Sequence, residues 1–229
     1  MRRLRLGSRL AVVAALLLSA LPEIGCSGGG GATDPGRPLL IYAALGASDA
    51  VGIGAVPLTD GYVYLIADDL REVRSVDLRN LGESGAHSYD LVARQLGPAV
   101  SANPGLVTVW TGSNDLIGGD PVASFGADLD RILGELAAQT PAQVFIGDLV
   151  DLTRVPRFLA DPDPDVTVAR VDAFNDAIRA AAARHGARVV PLSTIPFSPS
   201  FFAIDGFHPS NAGHRRIAEA FLAEIRPRL

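Results

Sequence analysis

Five short, mainly apolar runs, separated by longer stretches of mixed polarity, constrain the fold of this chain more than any other feature. They are Leu39–Leu45, Val73–Leu78, Leu106–Trp110, Val144–Leu149 and Ala187–Leu192. A strand with one wet face alternates apolar and polar residues, whereas a run without alternation suits a central strand covered on both faces. The intervening stretches Thr59–Leu70, Ser88–Leu96, Pro121–Ala138 and Val166–Arg184, and a last one over Ser210–Arg226, read as helices. Pro121 near a helix start and Gly186 after His185 are the expected start and stop signals. Strictly alternating elements predict an α/β fold, a five-stranded parallel sheet between two layers of helices. There is no internal repeat. Asp151–Asp165, with three prolines and repeated aspartates, reads as an irregular surface loop. In such sheets ligands bind beyond the carboxyl ends of the strands. The first four runs lead there into Ser48, Gly85, Asn114 and Asp151.

The chain has 229 residues, 48% of them hydrophobic, enough for one domain with a sizeable core plus an N-terminal extension. All 20 basic residues are arginine. The absence of lysine removes a Walker lysine, a Schiff-base lysine and a Ser-Lys dyad. The net charge is −5, and no basic stripe suits nucleic acid. Residues 1–25 read as a signal peptide, with Arg2, Arg3, Arg5 and Arg9 ahead of the apolar Leu10–Leu21. Without them 16 basic and 24 acidic residues leave a net charge of −8. Residues 26–38 read as a flexible Gly-rich tether, and residues 39–229 as a single domain. Cys26, the only cysteine, resembles the acylated first residue of a bacterial lipoprotein, although Glu23 departs from that signal. The expectation is therefore an exported protein, secreted or attached to the membrane through an acylated Cys26.

Three islands carry the chemistry: Gly46-Ala47-Ser48-Asp49, Gly112-Ser113-Asn114-Asp115 and Asp205-Gly206-Phe207-His208. A serine and an asparagine each follow a buried run, and an acid stands three residues before a histidine. These are the residue types of a nucleophile, an oxyanion donor, an orienting acid and a general base. Ser48 alone reads as a helix N-cap before it reads as a nucleophile, and His208 alone also as a surface histidine before a helix. Pro209 pushes His208 towards an extended backbone. His87 reads as the opening of a helix; His185 and His214 lie at the end of or within helices. Asp49, Asp68, Asp69 and Asp115 suggest no cation site, since consecutive Asp68 and Asp69 read as a solvated helix face. No His or Cys spacing matches a metal motif, so no metal is expected. Gly52-Ile53-Gly54 lacks the third glycine of a dinucleotide fingerprint, where Pro57 stands, and no cofactor is expected. Gly46-Ala47-Ser48-Asp49-Ala50 is also not the G-x-S-x-G elbow.

The islands resemble the four ordered blocks of the SGNH, or GDSL, hydrolase family, over essentially all of Leu39–Leu229. Ala44-Leu45-Gly46-Ala47-Ser48 resembles the nucleophile block, Asn80-Leu81-Gly82-Glu83-Ser84-Gly85 the second, Thr111-Gly112-Ser113-Asn114-Asp115 the third and Asp205-Gly206-Phe207-His208-Pro209 the last. The resemblance implies a flavodoxin-like SGNH fold and a serine esterase with a Ser48, His208 and Asp205 triad. It implies an oxyanion hole from the Ser48 and Gly85 N–H groups and the Asn114 side chain, with Gly82 serving the turn. The family has Asp before the serine and often Leu after it; Ala47 and Asp49 stand here, which implies altered local hydrogen bonding. Phe197, Phe201 and Phe202 either wall an acyl pocket or pack beneath the last helix. Phe201 and Phe202 are taken as substrate contacts, together with Arg154 of the Asp151–Asp165 loop. The substrate implied is a small-molecule, lipid or glycan ester. Alternatives are a carbohydrate O-acetylesterase or acetyl transferase at the cell envelope, and a silent glycan- or lipid-binding protein.

Overall fold

The computed structural model describes residues 36–229. The leader, Cys26 and most of the tether therefore lie outside the described residues. Five strands form one parallel sheet: β1 (Leu39–Gly46), β2 (Ser75–Asn80), β3 (Leu106–Trp110), β4 (Gln143–Gly147) and β5 (Arg188–Val190), in the order β2-β1-β3-β4-β5. The chain steps from β1 out to β2, then returns across β1 to β3. The reversal between β1 and β3 makes the crevice in which α/β proteins of this type bind ligands.

Around the sheet run α1 (Ser48–Val51), α2 (Tyr62–Arg71), α3 (Ser88–Asp90), α4 (Leu96–Ser101), α5 (Ser113–Ile117), α6 (Val122–Gln139), α7 (Pro156–Ala160), α8 (Val168–His185) and α9 (Asn211–Ile225). A π-helical segment, Leu91–Gln95, joins α3 to α4. Pro98, just downstream, has no N–H to give the carbonyl of Arg94, so a regular ladder cannot pass through. No helix among the described residues is long and apolar enough to cross a membrane.

Strand periodicity divides the core between the two faces. Ala43 and Leu45 of β1, with Val107 and Val109 of β3, pack against α6 and α8 through Phe125, Leu129, Ile132, Phe174 and Ile178. Leu40, Tyr42 and Ala44 point the other way, onto α2 and α9 through Tyr62, Ile66, Ile217 and Phe221. Successive strand side chains leave opposite faces. Continuous apolar runs are therefore what a doubly covered sheet requires.

The structure corrects two expectations. The second strand begins two residues later than Val73, because Val73 sits just past α2 and is 63% exposed. The segment Asp151–Asp165 is not an irregular surface loop throughout. It forms a 3-10 turn over Leu152–Arg154 followed by α7, and it buries Leu152, Val155 and Phe158 against the core.

Candidate active site

The site lies at the carboxyl ends of the central strands. Ser48 follows β1 and opens the single turn α1, with 5% of its surface exposed. One side chain fixes the strand end before it. Gln95 donates Nε2–H to the Gly46 carbonyl and accepts the Gly46 N–H at Oε1, both at 2.9 Å. The Gly46 requirement is proximity: a Cβ there would stand 2.6 Å from the Trp110 carbonyl oxygen of β3.

His208 approaches from the other end of the chain, on a loop pinned at several points. The His208 carbonyl accepts from Ala203 N at 2.8 Å, and Phe201 O accepts from Ser210 N at 2.8 Å. Ser210 then caps α9, and the Asn211 side chain binds both backbone groups of Val56 and the carboxylate of Asp60. The imidazole so held lies between two partners. Nε2 is 2.9 Å from Ser48 Oγ, and Nδ1 is 2.6 Å from Asp205 Oδ2. Asp205 Oδ1 accepts from the N–H groups of Phe207 and His208 at 2.9 and 3.0 Å. Burial pushes the Asp205 carboxyl up, but the His208 bond and the two backbone donors outweigh it and hold it below its ordinary value. An ionised Asp205 accepts Nδ1–H, which leaves Nε2 to accept from the Ser48 hydroxyl.

Asn114 is the second residue of α5. Its Nδ2 donates to the Ala86 carbonyl at 2.9 Å, leaving the other amide hydrogen uncommitted. The turn before it needs glycine: Gly112 has φ of +113°, and a Cβ would meet the Phe125 ring at 2.9 Å. The N–H of Gly82 is already taken by Asn80 Oδ1 at 3.1 Å, whereas those of Gly85 and Ser48 have no acceptor among the described residues. Ser48, Gly112 and Asn114 line a recess of about 10 Å³, space for about one oxygen-sized group.

Beside this recess opens a mainly apolar pocket of about 100 Å³, which shares Asp49, Trp110, Ser113 and Phe207 with it. Phe197, Phe201 and Phe202 all line this pocket, as does Arg154, whose guanidinium sits 4.9 Å above the Phe197 ring. Arg157 instead covers Phe158 and Phe207 and does not line the pocket. Sequence reasoning missed Trp110 as a pocket wall; it appeared only as the end of a strand. Its indole N–H donates to Asp148 O at 3.2 Å. Asp49 also belongs to the pocket. Its only sequence signal was its departure from the family block.

The remaining candidates are accounted for elsewhere. His214 is fully buried in α9, accepting Tyr62 N–H at Nδ1 and facing the Ile53 carbonyl with Nε2; burial lowers its pKa. His185 pairs with Asp130, Asp68 with Arg71, and Asp69 with Arg226. His87, Asp115 and Asp120 come within 4.8 Å of one another, a grouping no sequence spacing announced. His87 Nδ1 pairs with Asp120 at 2.7 Å and Asp115 Oδ1 accepts from the N–H and hydroxyl of Ser88, while the buried Asp115 Oδ2 has no partner among the described residues.

A family model described as GDSL-like lipase/acylhydrolase matches residues 44–216. No curated protein matches the chain. Among solved structures, TesA aligns at 23% identity with a TM-score of 0.69, covering 82% of this chain and 99% of its own. The lipase/acylhydrolase from Enterococcus faecalis aligns at 21% identity with a TM-score of 0.69, covering 83% and 97%. Axe2, an acetylxylan esterase from Geobacillus stearothermophilus, aligns at 21% identity with a TM-score of 0.66, covering 82% and 95%. At such identities these three speak for the fold, which is the one the alternating runs predict. With the family model spanning all four blocks, the chain belongs to the GDSL-like lipase/acylhydrolase family and is a carboxylic ester hydrolase.

Proposed function

We propose that the protein is a serine esterase that hydrolyses carboxylic esters through Ser48, His208 and Asp205. The observation that carries this reading is the unbroken chain from Ser48 Oγ through both imidazole nitrogens to Asp205, at 2.9 and 2.6 Å. Ser48 Oγ attacks the ester carbonyl while His208 Nε2 takes its proton. The carbonyl oxygen becomes an oxyanion held by the N–H groups of Ser48 and Gly85 and the free amide hydrogen of Asn114. The imidazolium then gives its proton to the leaving alcohol, and an acyl-Ser48 ester remains. Water attacks that ester with His208 again as base, and collapse releases the acid and restores Ser48. Asp205 stays ionised throughout, fixing the tautomer and stabilising the imidazolium.

The apolar pocket beside Ser48, walled by Phe197, Phe201 and Phe202, suits a substrate chain of modest length. Hydrolysis of a nitrophenyl acyl series from acetyl to palmitoyl, compared with Ser48→Ala, tests the reading. Ser48-dependent turnover supports it, and the chain-length profile sizes the pocket. Turnover of acetylated glycans alone moves the assignment to an O-acetylesterase. A folded protein inert on both is a binding protein. Export, with Cys26 acylated in the mature protein, is a separate proposal that the intact mass of the membrane-extracted protein tests.

A further inference from the structure

Asp49 is a carboxylate that the free enzyme does not use. It stands directly after the nucleophile, half-buried, at the junction of the small recess beside Ser48 and the apolar pocket. No donor of the described residues bonds its carboxyl, and no arginine pairs with it. Burial pushes it up to about 6, a shift that His208 opposes and Asp205 reinforces. An acid so placed costs stability, and it lacks the hydrogen bonds that ordinarily compensate a desolvated carboxylate. The carboxylate is therefore an unclaimed acceptor where the recess and the apolar pocket meet, one residue from the nucleophile.

The ligand that answers Asp49 is defined by what surrounds it. The pocket is mainly apolar, so its occupant carries a hydrocarbon body. Arg154 and Arg216 line it, which disfavours a cationic group. The donor offered to Asp49 is then neutral. We propose that Asp49 is a specificity-determining residue that selects esters bearing a neutral hydroxyl a few bonds from the ester carbonyl, on a substrate with an apolar body. This rests on the esterase reading above. The hydroxyl belongs either to a hydroxyacyl arm or to a polyol alcohol arm; both present a neutral O–H donor a few bonds from the reacting carbon, and the matched pairs distinguish the two arms.

Matched pairs test it. Nitrophenyl 2- and 3-hydroxyacyl esters are compared with their unsubstituted counterparts, and monoacylglycerols with simple alkyl esters, in the wild type, Asp49→Asn and Asp49→Leu. A hydrogen bond to a charged acceptor gives roughly 10- to 100-fold in kcat/KM for the hydroxylated member. The pair that shows the preference identifies the arm. In Asp49→Leu the ratio collapses to about one, and in Asp49→Asn it is intermediate. If Asp49 only tuned the basicity of His208, both members of a pair would change alike and the ratio would stay. Binding of the corresponding non-hydrolysable ketones to the wild type reads the same preference without turnover. Hydrolysis or binding with no hydroxyl preference in either pair overturns the proposal. No hydrolysis of any ester overturns the esterase reading instead, with the ketone binding still scoring Asp49.

Discussion

Replacing Asn114 by alanine separates catalysis from folding. In the free enzyme one Nδ2 hydrogen holds the Ala86 carbonyl at 2.9 Å, and the other is free to meet the oxyanion. Loss of one oxyanion donor costs on the order of 100- to 1,000-fold in kcat, about 2.7–4 kcal/mol. The donor acts on charge that develops only in the transition state, so KM changes little. The structural cost is smaller. Ala86 is fully buried, so its carbonyl loses a partner, a penalty of about 1–3 kcal/mol. At roughly 2–4 °C per kcal/mol for a domain of this size, the melting temperature falls by several degrees without collapse. Steady-state hydrolysis of a short-chain nitrophenyl ester at 25 °C, with a thermal melt on the same sample, reads both quantities. Asn114→Asp, which has no hydrogen to donate and brings a negative charge, is at least as impaired. A folded Asn114→Ala variant with kcat within threefold of wild type would refute the reasoning.

Three further outcomes follow from the geometry. Asp205→Asn keeps the shape but leaves His208 in the wrong tautomer, and kcat falls about 10⁴-fold as in other triads, measured on the same ester. Gln95→Ala strips the Gly46 N–H of its acceptor, leaves the Gly46 carbonyl only the Glu83 N–H, and loosens the strand end that carries Ser48. The melting temperature drops by an amount matching about 2–4 kcal/mol, and kcat falls with it, checked by calorimetry and steady-state kinetics. Asp49 holds its proton up to about 6 in the folded state against 3.8 for the free side chain, so its stabilising contribution is full below the lower value and lost as pH rises through the upper one. Asp49→Asn lacks that loss, so its melting temperature relative to wild type rises between pH 4 and pH 8.

Much of this architecture is legible in the sequence because burial writes itself into composition. A strand covered on both faces must be continuously apolar, and Leu106–Trp110 coincides with β3 residue for residue. The edge strands are harder, since one side of an edge is open: β2 carries Asp77, Arg79 and Asn80, and β5 has three residues. Short elements escape for lack of a full period. The signal for Asp151–Asp165 was nevertheless present, in Leu152, Val155 and Phe158 at three-residue spacing, a helical stripe obscured by the surrounding prolines and aspartates. For the site, the residue types and their order brought out Ser48, Asn114, Asp205 and His208. Gln95 was invisible, because a lone glutamine inside a helix looks like a solvated side chain until its partner strand is in place. Trp110 and Asp49 became pocket walls only once β1 and β3 were adjacent.

The central claim is that Ser48 Oγ is the nucleophile activated by His208. The direct measurement is labelling with a fluorophosphonate, read by intact mass and by peptide mapping, in the wild type, Ser48→Ala and His208→Ala. The account predicts one adduct per chain on the peptide containing Ser48, none in Ser48→Ala, and labelling slowed by orders of magnitude in His208→Ala. An adduct on another residue, or equal labelling of folded Ser48→Ala, would contradict it.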